Sequence, residues 1–190
     1  MNNRITIPTE LINESTLIPQ YARIGDAGMD VFADKEIAID PGQTVIVPTG
    51  VKMAIPEGYE IQVRDKSGIA SSTKLRVANA PGTVDSGYRD EIGVIIENTS
   101  IDYGKIVSEL KVRGYLGDTQ GYGVVKDVLT IDKKDPSFKK NAEGIYVIHK
   151  GEKIAQLVLC KVETANLQLC DDVSKIGSSR GGGFGSTGIK

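Results

Sequence analysis

Short apolar stretches separated by turn residues dominate the first hundred residues of the chain. Apolar and polar side chains alternate at Tyr59–Arg64 and at 36–39, so each segment is expected to bury one face and to expose the other. Further strand-length stretches rich in β-branched residues are expected at 4–7, 44–47, 92–97, 145–149 and 154–162. This pattern predicts an all-β protein.

Pro and Gly separate these stretches, as in Asp40-Pro41-Gly42 and Ala80-Pro81-Gly82, where they favour turns and interrupt hydrogen bonding between strands. In the first hundred residues only one helix is predicted, a short one beginning near Ser67 in SGIASS, with a hydroxyl available to cap its amides. Strands that follow one another without crossover helices favour a sandwich or a barrel.

Two segments depart from the strand pattern. Residues 99–144 carry mixed, nearly balanced charges and several tyrosines, which indicates an insertion that is either a solvated surface excursion or a partner-binding surface. The last residues, 175–190, are too rich in glycine to pack a core and are expected to order around a ligand. The length of 190 residues favours one domain, 1–174, followed by this C-terminal arm.

Composition limits the partners. The net charge of −2 lacks the positive excess of a nucleic-acid binder, so any phosphate that binds is expected to be small. The N-terminal residues contain no signal-peptide apolar stretch, and no apolar run is long enough to span a membrane. Cys160 and Cys170 support neither a zinc site nor a disulfide framework, so we expect buried or half-buried thiols and a cytoplasmic location.

The C-terminal arm contains GFGSTG, which formally matches the dinucleotide-binding fingerprint. Only two residues follow it, so the helix that this fingerprint must open cannot form. The remaining features are Arg180, Phe184, Ser186, Thr187 and a run of backbone amides. Such a set can wrap a phosphorylated aromatic ligand, although a disordered glycine-rich tail would look the same.

A second group of polar residues lies on the tight connection that follows Val77. Asn79, Asp85 and Tyr88 fall between apolar stretches there. Asp85 has the chemistry to deprotonate or orient a water molecule, or simply to cap a turn, and Tyr88 to pack. Asp30 in AGMDVFA and the basic, hydroxyl-bearing stretch 63–72 complete the set of candidates.

Five segments, in order along the chain, resemble the five motifs of the homotrimeric dUTPase family. They are AGMDVFA (27–33), RDKSGIA (64–70), NAPGTVDSGY (79–88), GEKIAQLV (151–158) and RGGGFGSTG (180–188). The resemblance covers nearly the whole chain outside the insertion, and its third and fifth motifs are the most specific. The insertion resembles those of some phage dUTPases.

This resemblance implies a jelly-roll-like β-barrel that forms a homotrimer, with three active sites, each assembled from all three subunits. It also implies hydrolysis of dUTP to dUMP and pyrophosphate with Mg²⁺. The triphosphate and water would hold the Mg²⁺, with no direct protein ligand and with Asp30 acting at most through water.

By resemblance, Asp85 would be the general base that activates water for attack on the α-phosphorus. Tyr88 would lie against the deoxyribose and exclude a 2′-hydroxyl. Asn79, with the backbone of Gly82 and Val84, would bind the uracil edge, and the tight hairpin would exclude a thymine methyl group.

The other motifs would surround the phosphates. The resemblance assigns phosphate or water contacts to Lys66, Ser67, Gly68 and Gln156, with Asp30 and Arg64 in support. Arg64 is included because Lys66 stands where the family usually has Arg. The arm would close over the nucleotide through Arg180, Phe184, Gly185, Ser186 and Thr187, with Arg180 four positions before Phe184 instead of the usual five.

Two other interpretations stay open. A dCTP deaminase of the same barrel superfamily would need its own acid at the pyrimidine C4, and the uracil-type hairpin with Tyr88 argues against it. A non-catalytic protein would instead use residues 99–144 to bind a regulatory protein.

Overall fold

The computed structural model describes residues 4–101, 129–130 and 144–178, with 129–130 described in the backbone only. Its strands are β1 (Thr9–Leu11), β2 (Gly28–Phe32), β3 (Ile37–Ile39), β4 (Thr44–Pro48), β5 (Val51–Met53), β6 (Tyr59–Arg64), β7 (Leu75–Val77), β8 (Gly82–Val84), β9 (Gly93–Asn98), β10 (Leu129–Thr130), β11 (Tyr146–Ile148) and β12 (Lys153–Lys161). A single α-helix, α1 (Ser67–Ser72), and a 3₁₀ turn, Val173–Lys175, complete the described part. None of these described helices is long and apolar enough to cross a bilayer.

The strands form four small sheets. Their orders are β1-β5, β10-β11-β3, β2-β12-β6-β8 and β4-β9-β7. All pairings are antiparallel except the one between β10 and β11. Neighbouring strands are often far apart in sequence, so the sheets are held by non-local pairing.

One apolar core joins these sheets. Alternation in β6 places Ile61 and Val63 in the core and leaves Gln62 and Arg64 on the outer face, as the pattern predicts. The largest fully buried apolar side chains are Ile39, Ile61, Leu75, Ile92, Ile148, Leu157, Val31, Val47, Val51, Val94 and Val147. The all-β class expected from the sequence is therefore confirmed.

Some local predictions are wrong. Residues 4–7 form no strand, because antiparallel pairing at this end begins only where Thr9 meets Met53. The Ser67 hydroxyl does not cap α1: Lys66 is the N-cap residue, and no side chain caps the helix. Strands β5, β7 and β8 each have three residues, too few for alternation to reveal them.

A buried carboxylate fixes the N-terminal segment against the barrel. Asp34 accepts hydrogen bonds from Asn13 Nδ2 at 2.9 Å and Thr16 Oγ1 at 3.0 Å, and Lys150 Nζ lies 3.2 Å from it. Burial opposes ionisation of Asp34, but these hydrogen bonds and the charge of Lys150 outweigh it and keep its pKa below the usual value.

A buried asparagine lies beside both ends of the segment that the sequence predicts to be an insertion. Asn98 is fully buried, and its Nδ2 donates to the carbonyl oxygens of Ile39 and Gly144, each at 2.9 Å. Its Oδ1 accepts from Ser100 N at 3.0 Å. One side chain thus joins β3 to both ends of the segment that the sequence identifies as an insertion.

We expect Asn98→Ala to lower the free energy of unfolding by about 2–3 kcal/mol, because it leaves two carbonyls and one amide without their partner. Urea unfolding at a fixed protein concentration measures this. Thr44→Ala, at an exposed position in β4, is the control and should change stability by less than about 0.5 kcal/mol. Equal stability of the two variants would contradict the assigned role of Asn98.

Candidate functional site

The connection from β7 to β9 forms a compact hairpin on the side of the barrel. β8 pairs with β6, with Gly82 opposite Val63 and Val84 opposite Ile61. Asp85 directly follows β8 and begins a turn in which Tyr88 N donates to Asp85 O at 3.1 Å. The carboxylate and the ring are therefore attached to a paired strand by one short turn.

This hairpin lines a cleft of about 200 Å³. The cleft brings together all five residues that the sequence assigns to base, sugar and water: Asn79, Gly82, Val84, Asp85 and Tyr88. Apolar side chains from β6 and β9 form the rest of its wall. Ligand pockets usually measure roughly 300–1,000 Å³, so a single chain encloses only part of a nucleotide-sized ligand.

Gly82 lets the backbone approach the Asn79 side chain. A Cβ built on Gly82 would lie 2.7 Å from Asn79 Nδ2, closer than such atoms can pack. Any other residue at this position would force the Asn79 amide group to move. The close approach of the Asn79 side chain therefore explains why the motif has glycine at position 82.

The Tyr88 hydroxyl donates to the carbonyl oxygen of Glu91 at 2.9 Å. The Glu91 carboxylate in turn accepts from Gly50 N at 2.6 Å. Sequence reasoning missed Glu91, because nothing in the local pattern indicates that its partner lies in the turn between β4 and β5.

A second cluster forms where β2, β12 and β6 pair side by side. Gln156 lies opposite Asp30 on one side and opposite Arg64 on the other, so the three residues share the outer face of the sheet. Lys66 Nζ lies 2.6 Å from Asp30 Oδ1. Lys153 Nζ lies 2.7 Å from Asp30 Oδ2, as an ion pair without hydrogen-bond geometry.

Asp30 is only 5% exposed, and its burial alone would favour the neutral acid. The contacts and charges of Lys153 and Lys66 outweigh that desolvation, so the pKa of Asp30 lies below its usual value. The cluster holds two ammonium groups against one carboxylate and carries a surplus positive charge. Sequence reasoning assigned no role to Lys153 and missed this ion pair.

Helix α1 begins beside this cluster. Gln156 Nε2 donates to Asp65 O at 2.8 Å, and Asp65 Oδ1 accepts from Val77 N at 2.8 Å. These bonds fix the loop that ends β6 and leave Ser67 and Gly68, the first two helical residues, exposed. Their backbone amides have no partner within a helix that starts there.

Arg64 extends along the outer sheet face. Its guanidinium donates to Gln62 Oε1 and lies 3.7 Å from Cys160 Sγ. Its predicted support of Lys66 stays a prediction. Cys160 is half-buried as expected, whereas Cys170 is exposed, so the expectation for the second thiol is wrong for this single chain.

No polar contact links the two clusters in the part of the chain that the structure describes. Within residues 4–101 and 144–178, no hydrogen bond or ion pair joins Asp85 to Asp30 or Lys66. The arm residues Arg180, Phe184, Gly185, Ser186 and Thr187 lie outside the described residues. In the described part of the chain, no three His, Cys, Asp or Glu side chains are grouped to hold a metal ion.

An all-β barrel with a carboxylate and an aromatic ring beside a small cleft, and lysines near a helix start, defines a candidate nucleotide hydrolase. A sequence model of the dUTPase family matches residues 14–109. The deoxyuridine 5′-triphosphate nucleotidohydrolase of Alkaliphilus metalliredigens is 35% identical over 184 residues, which cover 97% of this chain and 98% of the relative. The chain belongs to the dUTPase family.

Solved structures agree with this. The dUTPase of Staphylococcus bacteriophage 80alpha with dUpNHpp is 27% identical, with a TM-score of 0.79, over 97% of this chain and 99% of the other. It is one of the phage dUTPases that control transfer of virulence genes by a proto-oncogenic G protein-like mechanism. A mutant dUTPase from phage phi11 of S. aureus, which coordinates a structural Mg(II) ion, is 28% identical, with a TM-score of 0.73, over 88% of this chain and 98% of the other.

The ion pairs of Asp30 with Lys66 and Lys153 make the free energy of unfolding depend on pH. Because the pKa of folded Asp30 lies below its ordinary value of 3.8, the contacts of its carboxylate stabilise the fold at neutral pH. That contribution is lost as pH falls from roughly 5 through 3.8 and below, where the unfolded chain binds the proton more readily. We expect Asp30→Asn to be less stable at pH 7 and to lose less stability over this range.

Urea unfolding across a pH series measures the effect. Asp40→Asn, at an exposed position after β3, is the matched control and should retain the wild-type pH dependence. An Asp30→Asn profile parallel to wild type would contradict the ion-pair assignment.

Proposed function

We propose that this chain is a dUTP diphosphatase that hydrolyses dUTP to dUMP and pyrophosphate. The observation that carries the proposal is the cleft in which Asn79, Asp85 and Tyr88 meet. Asp85 takes a proton from a water molecule whose oxygen attacks the α-phosphorus, and pyrophosphate leaves with the electrons of the broken P–O bond. General-base catalysis of this kind contributes typically 10²–10⁴-fold.

The cleft selects the nucleoside. Asn79 and the backbone of Gly82 and Val84 bind the uracil edge, and the tight hairpin excludes a thymine methyl group. Tyr88 lies against the deoxyribose. A wall of fixed atoms at the 2′ position rejects a ribonucleotide by collision.

The lysine cluster binds the phosphates. The surplus positive charge of Lys66 and Lys153 over Asp30 attracts the triphosphate, and exposed amides at Ser67 and Gly68 donate to its oxygens. Gln156 orders the loop that presents them. Positioning and charge stabilisation supply most of the acceleration in phosphoryl transfer, so these groups suffice beside a single base.

Mg²⁺ is the cofactor of this proposal. Both oxygens of the buried Asp30 face lysines, so its carboxylate is occupied by ion pairs and the proposal assigns the ion to the triphosphate and water. When bound, Mg²⁺ supplies charge neutralisation on the phosphate oxygens. Asp30 would contact the ion at most through water, and it keeps the two lysines in place.

The arm closes the site in this proposal. Arg180, Ser186 and Thr187 contact the γ-phosphate with the amide of Gly185, and Phe184 covers the base. Closure expels water and strengthens the polar contacts inside.

A homotrimer completes each site. Residues 162–178 leave the barrel after β12 and are exposed throughout, with Leu167 92% and Leu169 101% exposed. A groove of about 930 Å³, lined partly by Ile5, Ile18 and Ile24, offers apolar surface elsewhere on the chain. In this proposal, residues 162–178 of one copy pack on a neighbour, which buries Leu167 and Leu169. No described contact joins Asp85 to the lysine cluster of its own chain. In the trimer, a neighbouring copy supplies the phosphate-binding lysines that each Asp85 needs.

Three earlier expectations stay predictions. A regulatory protein that binds at 99–144 would contact a segment that lies mostly outside the described residues. The phage dUTPases of similar fold, which control transfer of virulence genes, support this prediction. A cytoplasmic location and the lack of nucleic-acid binding rest on the sequence alone.

We expect Asp85→Asn to lower kcat for dUTP by at least about 10³-fold, because the amide cannot take a proton from water. Folding and nucleotide binding should be largely retained, since the Asp85 side chain is exposed. Pyrophosphate release measures turnover, and calorimetric titration with a non-hydrolysable analogue measures binding. Turnover at the wild-type rate would refute the role of this carboxylate.

The same assay across dUTP, dTTP, dCTP and UTP, with and without Mg²⁺, tests the substrate. Pyrophosphate release only from dUTP, and faster with Mg²⁺, is the expected result. Ammonia release from dCTP would favour the deaminase instead, and no turnover of any nucleotide would favour a non-catalytic protein.

Leu167→Asp combined with Leu169→Asp should convert the trimer to smaller species and lower turnover about tenfold or more. Each substitution exchanges a side chain whose burial is worth about 1.5–3 kcal/mol for a charge. Sedimentation velocity measures the assembly. Asn166→Asp adds a charge beside the same residues and should remain trimeric; a trimeric double variant would contradict the role of Leu167 and Leu169 in assembly.

A further inference from the structure

The ring of Tyr88 is held by its hydroxyl as much as by packing. The residue is 42% exposed, so packing within the chain covers only part of it. Its backbone amide is fixed by Asp85 O at 3.1 Å, and its hydroxyl donates to Glu91 O at 2.9 Å. The bond to Glu91 is therefore the contact that limits rotation of the ring away from the cleft.

The position of the Glu91 carbonyl is itself determined by the Glu91 side chain. Gly50 N donates to Glu91 Oε1 at 2.6 Å, a short bond to a charged acceptor. The next residue reinforces it, because Ile92 N donates to Val51 O at 2.9 Å and Thr49 Oγ1 donates to Ile92 O at 2.6 Å. Residues 91–92 are thus fastened to the turn between β4 and β5.

That turn is a rigid attachment point. Gly50 has a φ of +71°, and a Cβ there would lie 2.5 Å from Thr16 Oγ1 and 3.0 Å from Asp34 Cγ. Thr16 and Asp34 are themselves buried and hydrogen bonded to each other. The Gly50 amide therefore has little freedom to follow a displaced glutamate, and the restraint on Tyr88 extends through Glu91 to the barrel wall.

We propose that Glu91 is a positioning residue which fixes the Tyr88 ring and thereby sets the discrimination between deoxyribose and ribose nucleotides. The inference rests on the proposed function, in which Tyr88 excludes the 2′-hydroxyl. Exclusion by collision requires a wall that does not yield, because a ring that can rotate aside makes room for the added hydroxyl group. Glu91 supplies that stiffness without contacting the substrate.

The test compares kcat/KM for dUTP and for UTP in wild type, Glu91→Ala and Glu91→Gln. We expect Glu91→Ala to lower the dUTP/UTP ratio about tenfold, mainly through a lower KM for UTP. The kcat for dUTP should change less than about threefold, because the turn that holds Asp85 is retained. Glu91→Gln keeps an acceptor oxygen for Gly50 N and should restore the ratio to within about threefold of wild type.

A double-mutant cycle locates the effect. Tyr88→Phe removes the hydroxyl donor and should lower the ratio by a similar factor, and adding Glu91→Ala to it should cause little further loss. Independent, additive losses would overturn the proposal. If Glu91→Ala does not fold, Thr49→Val, which removes the hydroxyl bond to Ile92 O, weakens the same attachment and should also lower the ratio.

General loss of rigidity is the competing explanation. Ile148→Val, in the buried strand β11, destabilises the core at a residue outside the cleft and should leave the ratio unchanged. A falling ratio in this control, or an unchanged ratio in Glu91→Ala, would overturn the proposal. Equal loss in Glu91→Gln and Glu91→Ala would also overturn it, because the hydrogen bond would then not be what matters.

The outcomes distinguish a failure of the role of Glu91 from a failure of the proposed function of Tyr88. Wild-type protein that hydrolyses dUTP and UTP equally would remove the proposed role of Tyr88, and the role of Glu91 with it. Wild-type protein that discriminates strongly, beside a Glu91→Ala variant that discriminates as well, would remove only the role of Glu91.

Discussion

The double pairing of β12 is the constraint on which the rest of the structure depends. This strand hydrogen bonds to β2 on one side and to β6 on the other, and so joins the two ends of the described chain. Its inward residues Ile154, Ala155 and Leu157 are buried, and Ile and Leu are each worth about 1.5–3 kcal/mol when fully buried. Because a slip by one residue would move Leu157 to the outer face, core burial fixes the register. The same register places Gln156 beside Asp30 and Arg64. The burial of the core therefore also aligns these three polar side chains of the candidate site.

That register also explains the two lysines. A carboxylate as buried as Asp30 is costly to keep charged unless cations compensate for the lost water. Lys66 arrives from the loop after β6 and Lys153 from the start of β12, and each approaches a different oxygen. The arrangement retains one more positive than negative charge close to exposed backbone amides. In the proposed function, a second ammonium thus offsets the planar fork that is lost where lysine replaces arginine.

The sequence predicts the strands that are long and alternate. The bounds of β6 match, and β4, β9, β11 and β12 are found within one or two residues of their predicted limits. It fails at 4–7, because strand propensity alone cannot show that no neighbour is present to pair with. β5, β7 and β8 contain too little pattern to be recognised, and each is defined by its pairing with β1, β9 or β6.

Sequence reasoning likewise finds some residues of the candidate site and misses others. Motif resemblance brings Asn79, Asp85 and Tyr88 to attention, and the structure brings them to one cleft. Lys153 and Glu91 escape sequence reasoning because their partners, Asp30 and Gly50, are near only in the folded chain. A charged residue with a distant partner looks like an ordinary surface residue in the sequence. Non-local ion pairs and side-chain-to-backbone bonds are therefore what sequence reasoning overlooks here.

Association with other copies would account for three features of the single chain. The cleft is too small to enclose a nucleotide, Asp85 has no cation bonded to it in the described residues, and Leu167 and Leu169 stand in water. Association with other copies would bury the leucines and bring a second chain's groups to each cleft. Because the same contacts stabilise the assembly and complete the site, catalytic competence and oligomerisation are thermodynamically coupled in the proposed enzyme. A monomer would then retain the hairpin's selective wall but lack the charge needed at the phosphates.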